Sequence, residues 1–272
     1  MKYFFSFLII SCLAISCSNQ PTDASESNNH ETSETQKKRT RPIALNNAKI
    51  FEVNGVKKLY GGADSAQHFD ISDCELKDEQ FHYGIGRERF PALLQPEFIS
   101  VTEADSLWAD SSRFLLAYSD SEIKAYSVKD LTRHEIVNDQ FNGRPIMAAY
   151  CILADLGAIY DRQYGEDDLT FALSGYTYYD DTVWDGLDGF VLWDRETESL
   201  WWPLVGKAVS GPLKGVKLQE LDTGLWKDTD WKDIRTNYPN AQVLKSGQDY
   251  ERPKEWPKLD DVAAIKANYT IQ

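Results

Sequence analysis

Cys151 closes an apolar run, Pro145-Ile146-Met147-Ala148-Ala149-Tyr150-Cys151, and His134 stands seventeen residues upstream in Arg133-His134-Glu135-Ile136-Val137-Asn138-Asp139. A thiol and a neutral imidazole that meet could act as nucleophile and base, with Glu135, Asn138 or Asp139 orienting the ring. The same sulfur and imidazole, with Met147, could hold a soft transition metal, and a single accessible thiol could respond to oxidants. The plain alternative is packing, because a lone cysteine usually behaves as a small hydrophobe and a lone histidine as a hydrogen-bonded core residue. His68 and His82 could complete a metal shell, but their spacing is not that of a ligand motif.

Three other patterns could do chemistry. Trp184, Trp193, Trp201 and Trp202 are dense enough to form a sugar-stacking platform, and adjacent Trp201 and Trp202 point to opposite faces of a strand, so one indole could be exposed to a glycan. Asp180, Asp181, Asp185 and Asp188 make a carboxylate-rich loop that could take Ca²⁺, although the spacing departs from the Asp-x-Asp-x-Asp-Gly loop and a solvated turn is the simpler reading. Gly84-Ile85-Gly86-Arg87-Glu88 superficially suggests an anion loop. No strand-to-helix transition follows it, so its glycines are expected to permit a tight turn, with Arg87 paired to a carboxylate at the core edge.

The elements that must position these residues are mostly strands. Phe114–Tyr118 and Ile123–Ser127 flank Ser119-Asp120-Ser121 as a hairpin, and Pro145–Cys151, Gly157–Asp161, Leu169–Ser174, Phe190–Asp194, Leu200–Val205 and Val216–Glu220 are short, rich in aromatic or branched residues, and bounded by Gly, Asp or Pro. Alternation puts Met147, Ala149 and Cys151 on one face and Ile146, Ala148 and Tyr150 on the other. Helices are expected at Thr102–Trp108, where Thr102 and Asp105 resemble a capping box, at Asp228–Tyr238 before Pro239, and at Leu259–Ala267. Long crossover helices are missing, so the expected fold is mainly β (α+β): a mostly antiparallel barrel-like or two-sheet core with a few short peripheral helices.

The 272 residues carry 42% hydrophobic and 12% aromatic side chains, which excludes a disordered chain. The net charge of −14 excludes a basic nucleic-acid binder. Residues 1–16 offer Lys2 and an apolar run too short to span a bilayer of about 30 Å, an export signal by form. Leu13-Ala14-Ile15-Ser16-Cys17 resembles the lipobox of bacterial lipoproteins, which implies cleavage before Cys17, its acylation with fatty chains such as palmitate, and a membrane-anchored place in the bacterial cell envelope, facing periplasm or cell surface. Residues 17–41 then read as the acylated cysteine and a disordered tether, and residues 42–272 as a single β-rich domain. The four acids of the tether cancel its four bases, so the folded body owns the acidity. Cys74 and Cys151 remain in the body and are expected to be free, largely buried thiols.

The stretch Arg133 to Asp139, followed by Gly143-Arg144-Pro145, Tyr150-Cys151-Ile152-Leu153-Ala154, Asp194-Arg195-Glu196-Thr197-Glu198-Ser199-Leu200-Trp201-Trp202 and Gly211-Pro212-Leu213-Lys214-Gly215, resembles the domain of unknown function family numbered 3179, from about Arg87 to Gly247. The resemblance implies positions rather than a reaction. Two positions depart from the commoner pattern: Arg133 stands where a Trp precedes His-Glu, and Ala154 replaces the second cysteine of Cys-Pro-Leu-Cys-Asn. Chemistry that needs two thiols is thereby put in doubt. The expectation is an envelope protein with a small ligand or a soft metal at Cys151, His134 and Glu135, and with Asn138, Asp139, Arg144, Trp201 and Trp202 as further ligand-binding candidates. A thiol-dependent enzyme and a glycan-binding module are the alternatives.

Overall fold

The computed structural model describes residues 46–248, 253 and 255–271. The signal segment 1–16, the Cys17 lipidation site and the tether 17–41 lie outside the described residues. A central six-stranded sheet runs, neighbour by neighbour, through Asn46–Asn47, Phe81–Tyr83, Phe171–Tyr178, Gly189–Asp194, Leu200–Trp202 and Lys207–Ser210. Ile136–Phe141, Arg144–Cys151 and Leu156–Asp161 form a three-stranded sheet, and Ile50–Val53, Val56–Leu59 and Phe69–Asp70 another. Five strands, Trp226–Asp230, Arg113–Tyr118, Ile123–Ser127, Gln242–Leu244 and Phe98–Ser100, make a further sheet. Pairing is antiparallel in these sheets except where Gln242–Leu244 runs parallel to Ile123–Ser127.

Side-chain alternation stacks these sheets. Met147, Ala149 and Cys151 pack with the central sheet, whereas Ile146, Ala148 and Tyr150 pack with Leu115, Ala117 and Tyr126 of the five-stranded sheet. The opposite face of that sheet, Phe114, Leu116 and Ala125, is covered by Trp231 and Ile234 from the helix Trp231–Asn237. Leu59 and Phe69 join the same core as the central sheet, where Phe69 meets Trp193 edge to face. Apolar faces are thus buried sheet on sheet, the two-sheet form of the expectation; no barrel closes among the described residues.

Local differences from the sequence reading have physical causes. The first helix is Val101–Ala104, capped two residues earlier than expected, because the Ser100 hydroxyl accepts the Glu103 N–H and Glu103 reaches back to the Ser100 N–H at 2.9 Å. Trp226–Asp230 is strand before the helix at Trp231, and the last helix is Ala263–Tyr269. Leu200–Val205 ends its strand at Trp202, where Pro203 starts a 3₁₀ turn. Val216–Glu220 is not a strand: it makes single bridges to Lys207, Tyr160 and Thr270, three different partners.

Candidate functional site

The helix Val128–His134 starts at Ser127, whose hydroxyl accepts the Asp130 N–H, and stops at Glu135, which adopts the left-handed conformation at φ 56°. That single residue turns the chain from helix into the strand Ile136–Phe141. Glycine or asparagine usually occupies such a position, and a side chain there costs about 1 kcal/mol. The strained residue here is a glutamate only 8% exposed, and strain kept at a buried polar residue points to use.

Register brings Glu135 to Cys151. Ile136 pairs with Ala149, so the ladder ends just before Cys151, and the Tyr150 N–H donates to the Glu135 carbonyl at 2.9 Å. The Glu135 carboxyl accepts the Ile152 N–H and faces the Cys151 thiol, which donates to the Asp188 carbonyl at 3.8 Å. Burial raises the Glu135 carboxyl to about 8. Burial, and then the neighbouring Glu135, pushes the Cys151 thiol up to about 12, against the pull of the Ala154, Phe190 and Leu153 N–H groups. Both groups therefore hold their protons at pH 7.

His134 does not join them. Its Nδ1 lies 2.8 Å from the Pro91 carbonyl, to which it must donate, so the imidazole fastens the segment before Leu93 to the edge of Ile136–Phe141. Asn138 spends its amide on the backbone of Phe171, donating to the carbonyl at 2.9 Å and accepting the N–H at 3.0 Å, and thereby ties the three-stranded sheet to the central one. Asp139 is buried against the Lys124 ammonium and the Tyr126 hydroxyl, while Arg144 lies exposed and pairs with Asp161. Trp201 and Trp202 are 0% and 1% exposed, so neither indole offers a face to a sugar. Arg87 does pair with Glu198, at 3.3 Å, and stacks on Trp193. The glycines beside it serve close approach: a Cβ on Gly175, at φ +85°, would lie 2.1 Å from the Gly86 carbonyl carbon.

Cys151 and Phe190 stand between two hollows. One, of about 340 Å³, is lined by Glu135, Cys151, Thr177, Leu173 and Phe90, with Ile85 and Ile152 at its rim. The other, of about 250 Å³, lies where Ala149, Ala154, Ala158 and Gly189 leave the facing sheets unfilled, with Tyr160 and Glu220 on its wall. Small side chains opposite one another create this space, since close packing would otherwise fill it.

Two features escaped the sequence reading. Asp188, grouped there with a solvated carboxylate loop, is buried and pairs with His82 Nδ1 at 2.5 Å. Glu135, read as an orienting partner for His134, instead faces the thiol; its place between a helix end and an apolar strand was the available signal. Among the described residues, no group of three or more His, Cys, Asp or Glu side chains is placed to hold a metal ion, so Cys151 and His134 gain no further ligand. Cys74 and Cys151 are free thiols, and burial also raises Cys74, to about 11. Native-state alkylation of either by iodoacetamide at pH 7.5 should run at least a hundredfold slower than for an exposed thiol, a rate set by thiolate fraction and access; mass spectrometry of time points, with a denatured control, measures it.

Residues 87–258 match a family described as a protein of unknown function (DUF3179). No curated protein and no solved structure matches the chain.

Proposed function

Because the chain belongs to the DUF3179 family, whose motifs give positions without a reaction, we propose that it is a membrane-tethered cell-envelope lipoprotein binding a small, mostly apolar ligand beside Glu135 and Cys151. The observation that carries this reading is the 340 Å³ hollow, walled by apolar side chains and holding one buried carboxyl group. Its rim supports access, since Ile85 and Ile152 are 42% and 38% exposed, apolar surface at the mouth of an apolar cavity. A nucleophilic thiol finds no comparable support, because burial keeps Cys151 protonated and the His134 Nδ1 is spent on the Pro91 carbonyl. A glycan platform at Trp201 and Trp202 lacks an exposed ring.

Benzene, toluene and indole at millimolar concentration should raise the melting temperature. Saturation at tenfold over Kd is worth roughly 1.4 kcal/mol, or about 3–6 °C for a domain of this size. The shift should shrink in Leu173→Phe, which narrows the hollow. Unchanged melting with every probe would sink the binding reading. The tether is supported by Leu13-Ala14-Ile15-Ser16-Cys17 and by the bland composition that follows. Replacing Cys17 with Ser should move the protein from the membrane to the soluble fraction and abolish radiolabelled palmitate incorporation; retention of both would remove the lipid anchor from the proposal.

A further inference from the structure

We infer that the ligand of this hollow is uncharged and carries a hydrogen-bond acceptor of the carbonyl class, received by the Glu135 carboxyl and the Thr177 hydroxyl. The inference rests on the binding reading above and adds the chemistry of what is bound.

Asn46 on the wall is exposed and Tyr83 half-buried, and it is the buried polar atoms that decide the chemistry. Cys151 donates its proton to the Asp188 carbonyl, and the Tyr176 hydroxyl donates to the Tyr60 carbonyl at 2.9 Å, so both are spent within the protein. The Thr177 Oγ1 is buried and has no hydrogen-bond partner among the described residues. Thr177 pairs in register with His82 on one side and with Phe190 on the other, which puts its side chain on the same sheet face as Phe190, which with Cys151 is shared by the two hollows. A buried hydroxyl without a partner costs on the order of 1–3 kcal/mol, and a bound acceptor relieves that cost. Glu135 approaches from the opposite sheet with its carboxyl taking one backbone bond, from Ile152.

Charge is excluded from the ligand by the same walls. No Lys, Arg or His lines the hollow, so an anion would enter without a counter-charge. A cation could pair only with Glu135, and burying both ions among Phe90, Leu173 and Phe190 means desolvating each of them. An uncharged molecule with one or two lone pairs meets both donors and leaves its apolar body against Leu153, Leu173 and Phe90.

Four probes of matched size test this: acetophenone, cumene, benzoate and 1-phenylethylammonium. Their affinities for the protein are measured by ligand-observed NMR titration. Acetophenone should bind about tenfold more tightly than cumene, which has the same shape without the acceptor, and the two ions should bind more weakly than either. In Glu135→Leu the preference for acetophenone over cumene should fall to about threefold or less, with cumene binding retained as evidence that the hollow is intact. Thr177→Val, nearly isosteric, should reduce the same ratio, and Glu135→Gln, which keeps a donor, should preserve it. Equal affinities of acetophenone and cumene in the parent protein, or a ratio unmoved by both Glu135→Leu and Thr177→Val, overturns the acceptor assignment while leaving an apolar binding site standing. Tighter binding of 1-phenylethylammonium overturns it in favour of an amine site. Binding of none of the four overturns both this inference and the reading beneath it.

Discussion

At pH 8, Glu135→Gln should melt at a higher temperature than the parent protein, while at pH 4 the two should melt together. The Glu135 carboxyl is raised from 4.5 to about 8 by burial among apolar side chains. Below pH 4.5 the folded and unfolded chains both hold this proton, and the residue adds no pH dependence. Between 4.5 and 8 the unfolded chain releases a proton that the folded chain keeps. Stability therefore falls as pH rises, by about 1.4 kcal/mol per unit for one group. By pH 7 the loss is on the order of 3 kcal/mol, a large share of the 5–15 kcal/mol typical of a domain. Glutamine cannot ionise and still offers an oxygen to the Ile152 N–H, so it removes the loss and little else. Asp233 supplies a control of opposite sign: the Lys227 ammonium holds its carboxyl down near 2, so its contribution is present above the ordinary carboxylate range and is lost as pH falls through 2. Asp233→Asn should therefore cost stability at neutral pH and much less at pH 2. Thermal denaturation of the three proteins from pH 4 to 8, with Asp233→Asn also taken to pH 2, reads both effects. Parallel melting curves of parent and Glu135→Gln across that range would show that Glu135 is already solvated in the folded state.

What could be read from the sequence was what period and local chemistry encode. The alternation in Pro145–Cys151 assigned each side chain to the face it takes, because a strand buried on both sides still has a period of two. The hairpin across Ser119-Asp120-Ser121 forms because its turn is local, with the Ser119 N–H bonded to the Glu122 carbonyl. The capping box near residue 100 was harder, since Ser100-x-x-Glu103 and Thr102-x-x-Asp105 compete within six residues and the longer glutamate is the one that reaches back. Of the Cys151–His134 pair, the residue types were legible and their partners were not. Cys151 lies at a strand end beside a hollow, but the imidazole's partner is a backbone carbonyl, Pro91, and nothing in the residue types around His134 distinguishes that acceptor from a thiol. The pairing of Asp188 with His82 was likewise invisible, because 106 residues separate them and only the adjacency of Phe81–Tyr83, Phe171–Tyr178 and Gly189–Asp194 in the central sheet brings them together.

The same long-range pairing makes a second residue pair decisive for the fold. Arg195 and Glu88 meet at 2.5 Å with side chains only 4% and 10% exposed. Each is held by backbone as well: the Arg195 N–H donates to the Thr170 carbonyl, and the Glu88 N–H to the Leu173 carbonyl, so both charges hang over the strand Phe171–Tyr178 and its approach. Arg195 belongs to the Asp194–Trp202 motif. Around it Asp194 accepts bonds from Thr197 and from the Trp201 indole, and Glu196 accepts the Trp256 indole N–H at 2.7 Å. The motif is thus a buried polar turn, and its chemistry serves positioning of the hairpin that ends beside Phe190. Removing one charge strands the other in a low-dielectric interior, which costs about 3–5 kcal/mol. Arg195→Met alone and Glu88→Leu alone should each lower the unfolding free energy by that amount, a large part of the ordinary stability of a domain. The double variant removes both charges and fills their place with apolar atoms, so it should recover to within about 1–2 kcal/mol of the parent protein. Urea denaturation of the four proteins closes the cycle. Costs that simply add in the double variant would mean that the two charges are solvated separately, and that the turn after Asp194 is held by Thr197 and Trp201 without help from the ion pair.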